Sequence, residues 1–342
     1  MRPLTHTGAK QLIPVANKPT IFYGIESLVA AGIKEIGIVV GDTENEVKAC
    51  VGDGARWGIS ITYIFQEAPL GLAHAVKISK NFLENDSFVM YLGDNILKEG
   101  ILEFVKSFKE KKPNAYILLT EVKNPEQFGV VNLDEGGRII KLEEKPKKPK
   151  SNLALVGIYL FDDNIFKAVN SIKPSFRSEL EITDAIKWLI DSGYRVDYHL
   201  VSGWWKDTGK PADLLEANQL ILEGLETSIG GQLDKDSSVT GRVVIGVGSK
   251  VINSNLRGPV IIGQNVLIKN SYLGPFTAIS DGVIIENSEI EHSIVLEGSK
   301  IINVGGRIDQ SILGKEVVVT SSLTKPSTHQ FVLGDKSQVT IA

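Results

Sequence analysis

The 342-residue sequence predicts an α/β protein in two parts: a mainly parallel sheet with helices on both faces, then a triangular parallel β-helix. Three observations predict it. Short apolar runs alternate with helical apolar spacing from residue 21 to about 225, as strands joined by crossover helices do. Past residue 236, aliphatic residues recur at steps of six, six and five, a 17-residue period. The pairs Asn253-Ser254, Asn270-Ser271 and Asn287-Ser288 keep that period.

In chain order, residues 1–19 are loop-like and punctuated by proline, carrying Lys10 and Lys18 but no strand of their own. Residues 21–31 read as a helix stopped by Gly32, and 35–40 as a strand. A helix over 44–50, a strand over 61–66 and a helix over 72–83 follow, the last with Leu72, Ala73, Val76 and Leu83 at helical spacing. The strand over 87–92 stops on Gly93-Asp94-Asn95, and a helix over 101–111 leads to a strand over 115–121. From Phe128 the pattern changes. Strands over 130–133 and 139–142, joined at Gly136-Gly137, and over 153–161 read as a small antiparallel patch flanking the main sheet. Helices over 164–169 and 181–192 precede a strand over 195–201, and a helix from Pro211 to about 225 has proline in its first turn.

In the second part the repeat positions are Val239, Ile245, Val251, Leu256, Ile262, Ile268, Leu273, Ile279, Ile285, Ile290, Leu296 and Ile302, all aliphatic. Three short strands per coil, each with one inward aliphatic, give a triangular β-helix. A β-sandwich would alternate without the fixed period.

Composition bounds the function. With 42% hydrophobic and 23% charged residues the chain has the make-up of a soluble globular protein, and its length calls for two domains. A net charge of −4 gives no overall pull towards nucleic acid or an anionic membrane, so neither is expected as a partner. The single cysteine, Cys50, excludes an internal disulfide and fits a cytoplasmic protein. No stretch approaches a membrane span or a signal-peptide core.

The chemistry centres on residues 87–95. In open α/β sheets ligands bind beyond the carboxyl ends of strands. Asp94, placed there beside Gly93, is positioned for a metal or a polar substrate. Gly, Asp and Asn are also the ordinary residues of a strand-ending turn, so this stretch alone leaves both readings open.

Other stretches decide between them. Arg2-Pro3-Leu4-Thr5, residues 10–15 (Lys-Gln-Leu-Ile-Pro-Val), Asn17-Lys18-Pro19, Gly52-Asp53-Gly54 and residues 66–73 run in order along the chain. Leu92-Gly93-Asp94-Asn95, Phe128-Gly129-Val130-Val131, Glu143-Glu144-Lys145-Pro146, residues 179–184 (Glu-Leu-Glu-Ile-Thr-Asp) and Asp207-Thr208-Gly209 continue the series. Together they resemble the sugar-nucleotide pyrophosphorylases, in particular the glucose-1-phosphate thymidylyltransferases of the longer form with a β-helix tail. The resemblance implies a Rossmann-like nucleotidyltransferase domain over 1–228 and a left-handed β-helix of hexapeptide-like repeats over 236–342.

It also implies a reaction, in which a sugar-1-phosphate oxygen attacks the α-phosphate of dTTP in line and pyrophosphate leaves. Such chemistry needs two anions brought together and their charge neutralised. By the resemblance, Asp94 and Asp207 hold Mg²⁺, the cofactor, with hard oxygens. Lys10 faces the nucleotide phosphates, and Lys145 and Arg177 clamp the sugar phosphate. Glu144 accepts from sugar hydroxyls, Gly129 lets backbone touch the ring, and Gln66 and Gly71 read the pyrimidine edge. Residue by residue, plainer readings exist. Residues 143–146 suit a solvated strand end, residues 179–184 a helix start, Trp204 and Trp205 packing, and His74 a structural role.

The family opens with a strand and a Gly-Gly-x-Gly-Thr-Arg loop, and Met1 stands just past its arginine. Without that loop, weak or absent activity is expected. Base choice rests on a methyl group and one loop, so a UTP-using or other sugar-1-phosphate nucleotidyltransferase is an alternative, and the missing loop makes an inactive shortened form serving assembly or regulation another. Acyl transfer by the β-helix is a further class, with His292 the one histidine inside the repeats. The flat faces of a β-helix make a homo-oligomer the expected state.

Overall fold

The computed structural model describes residues 9–321 and 337–340; the Arg2-Pro3-Leu4-Thr5 stretch lies outside the described residues. The chain divides into two compact units, one of residues Ile21–Asp207 and one combining Met1–Thr20 with Thr208–Ala342.

In the first unit, the helix Thr20–Ala30 ends at Gly32, whose φ of +84° suits a residue without Cβ. Strands Glu35–Val40 and Ser60–Phe65 pair in parallel through the intervening helix Glu44–Val51, a βαβ unit. The strand Val196–Leu200 likewise runs parallel to Ala115–Glu121. The helix expected over 72–83 is broken at Ser79 into Leu72–Ile78 and Lys80–Leu83. Ser79 Oγ donates to the Ala75 carbonyl at 2.8 Å, the back-bonding that bends helices.

Leu153–Phe161, expected to flank the sheet, lies inside it. It runs antiparallel to both Ala115–Glu121 and Phe88–Tyr91, and every residue but the first is buried. A strand covered on both faces reads as one apolar run, and such a run encodes neither its neighbours nor its direction. A register shift between Leu155 and Tyr159 interrupts its pairing with Ala115–Glu121. Gly157 sits in that break, where a Cβ would come within 2.9 Å of Asn95 Oδ1. The helices Ile165–Ser171 and Ile182–Asp191 bury Ile165, Ile186 and Leu189 in the same core as Phe161 and Tyr159.

The second unit begins with a feature the sequence reading did not expect. Pro14–Val15 and Lys18–Pro19 form a small antiparallel hairpin. Its two turn residues, Ala16 and Asn17, have φ of +47° and +62°. That is the left-handed pair of a tight hairpin turn, hidden because alanine is not a usual turn residue. The helix Pro211–Leu222 follows, and the remaining strands wind a parallel β-helix with three walls.

The inward aliphatics of successive coils stack directly, Ile245 on Ile262 on Ile279 and Val251 on Ile268 on Ile285. The Asn-Ser pairs are its ladders. Asn253 Nδ2 donates to Asn270 Oδ1 at 2.8 Å, Asn270 to Asn287 at 3.1 Å and Asn287 to Asn303 at 2.7 Å. All four asparagines have positive φ, the corner conformation asparagine tolerates. The serines beside them accept the backbone N–H of the next coil, Ser254 from Ser271 and Ser271 from Ser288.

The period fails at its end. Val295 and Ile301, not Leu296 and Ile302, stack on Ile279 and Ile285 in the core. The corner between Ile290 and Ile294 is one residue shorter than the corner between Leu273 and Ala278, so the inward phase slips by one. Leu296 is still buried and Ile302 half-buried, which is why the slipped positions also read as aliphatic.

Candidate active site

The site is built at strand ends of the unit 21–207. The strand Phe88–Tyr91 delivers Gly93-Asp94-Asn95 to the start of a second short strand, Asn95–Leu97. That strand pairs with Trp205–Asp207, and Asp207 stands opposite Asn95. Asn95 is the hub. Its Nδ2 donates to Asp94 Oδ1 at 2.9 Å, while its Oδ1 accepts from Trp205 Nε1 at 2.6 Å and from the Gly157 N–H at 3.3 Å.

Asp94 is only 9% exposed, and Oδ1 of Asp207 is shielded from solvent. Asp94 directly precedes this ladder and Asp207 ends it opposite Asn95, so two carboxylates, the hard oxygen donors a divalent cation takes, stand at one end of the pair.

Trp205 extends the site sideways. Its ring lies edge-on to Phe128, with centroids 5.4 Å apart. The Phe128 carbonyl accepts the Lys145 N–H at 3.0 Å, and Gly129 pairs with Glu144 in the next ladder. A Cβ on Gly129 would lie 2.8 Å from Leu155, 2.9 Å from Thr183 and 3.3 Å from Glu144, so glycine leaves the Glu144 carboxylate its space.

Arg177 stands over Glu144. Its guanidinium is 3.6 Å from Glu144, 3.0 Å from Glu179 and 3.5 Å from Glu181. Lys145 is more loosely placed, 3.9 Å from Glu144 and exposed, with a left-handed φ of +44°. Burial, then the Glu181 charge, push the Glu144 carboxyl above the usual carboxylate range, against the pull of Lys145 and Arg177.

The segment that holds these acids also holds Gly71 and, through it, Gln66. The Leu180 N–H donates to the Leu70 carbonyl at 2.8 Å, and the Leu180 carbonyl accepts from the Ala73 N–H at 3.0 Å. Gly71, between them, has φ of +99°, and a Cβ there would lie 2.4 Å from the Leu180 carbonyl oxygen. Gln66 Nε2 donates to the Gly71 carbonyl at 3.3 Å and to His74 Nδ1 at 3.0 Å. Gln66, Gly71, Gly129, Glu144, Lys145, Arg177, Asp94 and Asp207 are thus linked through one continuous set of contacts. Lys10 belongs to the other unit, exposed in the 3₁₀ turn Lys10–Leu12.

Sequence reasoning passed over Asn95, Trp205 and Thr183 as site residues. The Asp-Asn pair after a strand was the signal for the first; the other two act through non-local contacts that no local pattern carries.

A nucleotidyl transferase family model matches residues 1–224. The chain belongs to the nucleotidyl transferase family. It is 53% identical to a glucose-1-phosphate thymidylyltransferase of Streptomyces antibioticus, over all of this chain and 96% of that one. It is 48% identical to a low-salt glycan biosynthesis nucleotidyltransferase of Haloferax volcanii, over 99% of this chain and 96% of the relative. A solved Bacillus anthracis protein, described as a candidate glucose-1-phosphate thymidylyltransferase in complex with a sucrose, superposes with a TM-score of 0.61 at 39% identity. That superposition covers 64% of this chain and 89% of the other. Among the described residues no helix is long and apolar enough to cross a membrane.

Proposed function

We propose that this nucleotidyltransferase forms dTDP-glucose and pyrophosphate from dTTP and glucose-1-phosphate. The observation that carries the reading is its 53% identity to a thymidylyltransferase along the whole chain. In the reaction an oxygen of the sugar phosphate bonds to the α-phosphorus of dTTP as the bond to the bridging β-phosphate oxygen breaks. Asp94 and Asp207 would hold Mg²⁺, which would supply positive charge to neutralise the phosphates.

Arg177 and Lys145 bind the sugar phosphate and align its oxygen. Glu144 accepts from sugar hydroxyls in the space that Gly129 leaves. Gln66 and the Gly71 backbone read the pyrimidine, and Lys10 meets the nucleotide phosphates. The contact of Arg177 with three carboxylates supports its part, since a guanidinium so held is fixed in place before the substrate arrives.

The UTP-using and assembly-only readings are not favoured by these likenesses. Cytoplasmic residence and a homo-oligomeric state belong to the same proposal, and light scattering on the purified protein checks the second. The test of function is pyrophosphate release from dTTP with glucose-1-phosphate and Mg²⁺, with UTP as competitor. Turnover with dTTP preferred is expected, although a single methyl group limits that preference to about 1–3 kcal/mol. Turnover with UTP alone, or silence with both even when the chain is extended upstream by the Gly-Gly-x-Gly-Thr-Arg loop, overturns the proposal.

A further inference from the structure

The hairpin that follows Lys10 is tied into the β-helix by two asparagine side chains. Ala16, at its tip, donates its N–H to Asn218 Oδ1 at 2.9 Å, and Asn218 Nδ2 donates onward to the Phe276 carbonyl at 2.9 Å. Asn218 lies on the helix Pro211–Leu222 and is fully buried, so both ends of its amide are used inside the protein. Asn17 Nδ2 donates to the Ile279 carbonyl at 2.7 Å, and Ser280 Oγ approaches Asn17 Oδ1 at 3.5 Å. The Ile279 carbonyl already accepts the Gly263 N–H at 2.8 Å inside the solenoid, so Asn17 takes a second lone pair on an atom the coil holds rigidly.

The other end of the hairpin is fixed as firmly. The Ile13 carbonyl accepts both the Thr20 N–H at 3.3 Å and Thr20 Oγ1 at 2.8 Å, and Thr20 is fully buried. The Ile13 N–H in turn donates to the Lys10 carbonyl at 3.2 Å, closing the turn that carries the lysine. Ala16 and Asn17 both sit in left-handed backbone, a conformation a Cβ-bearing residue keeps only where its surroundings determine it. Here the surroundings are Asn218 of the helix Pro211–Leu222 and one coil of the β-helix.

We infer that Asn17 and Asn218 are positioning residues, through which the coil around residues 276–280 sets the geometry of the Lys10 segment. The β-helix thereby contributes to nucleotide binding. This rests on the role proposed for Lys10, and the experiment keeps the two apart. Asn17→Gly removes the amide but retains left-handed backbone, so it tests the contact without adding strain. Asn218→Ala is the companion variant, and because it empties a buried polar site its unfolding midpoint is measured alongside.

dTTP affinity by titration calorimetry and steady-state kinetics are measured for Asn17→Gly, Lys10→Ala and the double variant. The expected result for Asn17→Gly is a KM and Kd for dTTP raised about tenfold, the scale of a misplaced rather than a missing group. KM for glucose-1-phosphate stays within about twofold, and the asparagine change adds nothing once Lys10 is gone. An unchanged dTTP affinity in Asn17→Gly overturns the inference, as does an effect that persists undiminished without Lys10. If Lys10→Ala alone binds and turns over dTTP as the parent does, it is the lysine assignment that fails.

Discussion

Asn95 and Asp207 face each other across a three-residue antiparallel ladder, and Asn95 also hydrogen-bonds the Asp94 carboxylate beside it. The Asn95 amide thus fixes Asp94, while its backbone stands opposite Asp207. The backbone sets their spacing, and Asn95 is itself fixed by Trp205 and Gly157. On the Mg²⁺ role proposed for it, a pair so held need not reorganise to take the ion.

Asp94→Asn and Asp207→Asn should each lower kcat/KM for pyrophosphate release by about 10²-fold or more, the cost of losing one preorganised charge. Mg²⁺ should raise the unfolding midpoint of the parent and leave that of the variants in place. A variant that Mg²⁺ stabilises as well as it does the parent would place the ion elsewhere.

Gly71→Ala should impair both substrates. The added Cβ would lie 2.4 Å from the Leu180 carbonyl oxygen, and neither that backbone nor the φ of +99° can yield cheaply. The displaced segment carries Glu179 and Glu181, which grip Arg177. KM should rise for dTTP and for glucose-1-phosphate together; a rise for dTTP alone would mean that the segment absorbs the change.

The stability effect of Glu144 should depend on pH. Burial and Glu181 hold its proton on above the ordinary carboxylate range, near 4.3. The folded protein then binds more protons than the unfolded chain, so this group's contribution to stability is lost as pH rises through and beyond that range. Glu144→Gln, which cannot ionise, should unfold later than the parent at pH 7.5, and the difference should vanish near pH 4. Denaturant midpoints at the two pH values decide it; a gain of equal size at both would sink the reading.

Asn270→Ala should cost about 1–2 kcal/mol of stability, because it removes two ladder hydrogen bonds and places a Cβ-bearing residue at φ +48° without asparagine's tolerance. Asn270→Gly should lose less, since glycine adopts that backbone freely. Urea unfolding ranks the two, and equal losses would show that the corner conformation contributes nothing.

Much of this was legible in the sequence because it is local. The period of Ile245, Ile262 and Ile279 is a property of spacing, and Asp94 after an apolar run is a property of adjacency. What escaped depends on which distant segments meet. The placement of Leu153–Phe161 between Phe88–Tyr91 and Ala115–Glu121 is a choice among pairings that its uniform apolarity does not encode. Asn95 was visible as a turn residue, but its bond to Trp205 spans 110 positions. Asn17 was read as part of a motif, while its partner Ile279 lies in what looked like a separate repeat. The slip from Leu296 to Val295 was hidden by an aliphatic residue at both positions.

That slip limits how the β-helix can change its length. Ile285 stacks on Ile301, 16 positions on, and Ile301 on Val319, 18 positions on, so after two coils the phase has returned to its starting value. The residue lost comes from the corner near His292, and length is regained at the Gly305-Gly306 corner, where added Cβ atoms would meet nothing. A residue gained or lost at a vertex alters the outline of one coil, whereas the same event within a wall would turn the inward aliphatic of that wall towards water. Related chains can therefore drift in length at their vertices alone, and a search for a rigid 17-residue repeat will lose register just beyond Ile290 although the solenoid continues unbroken.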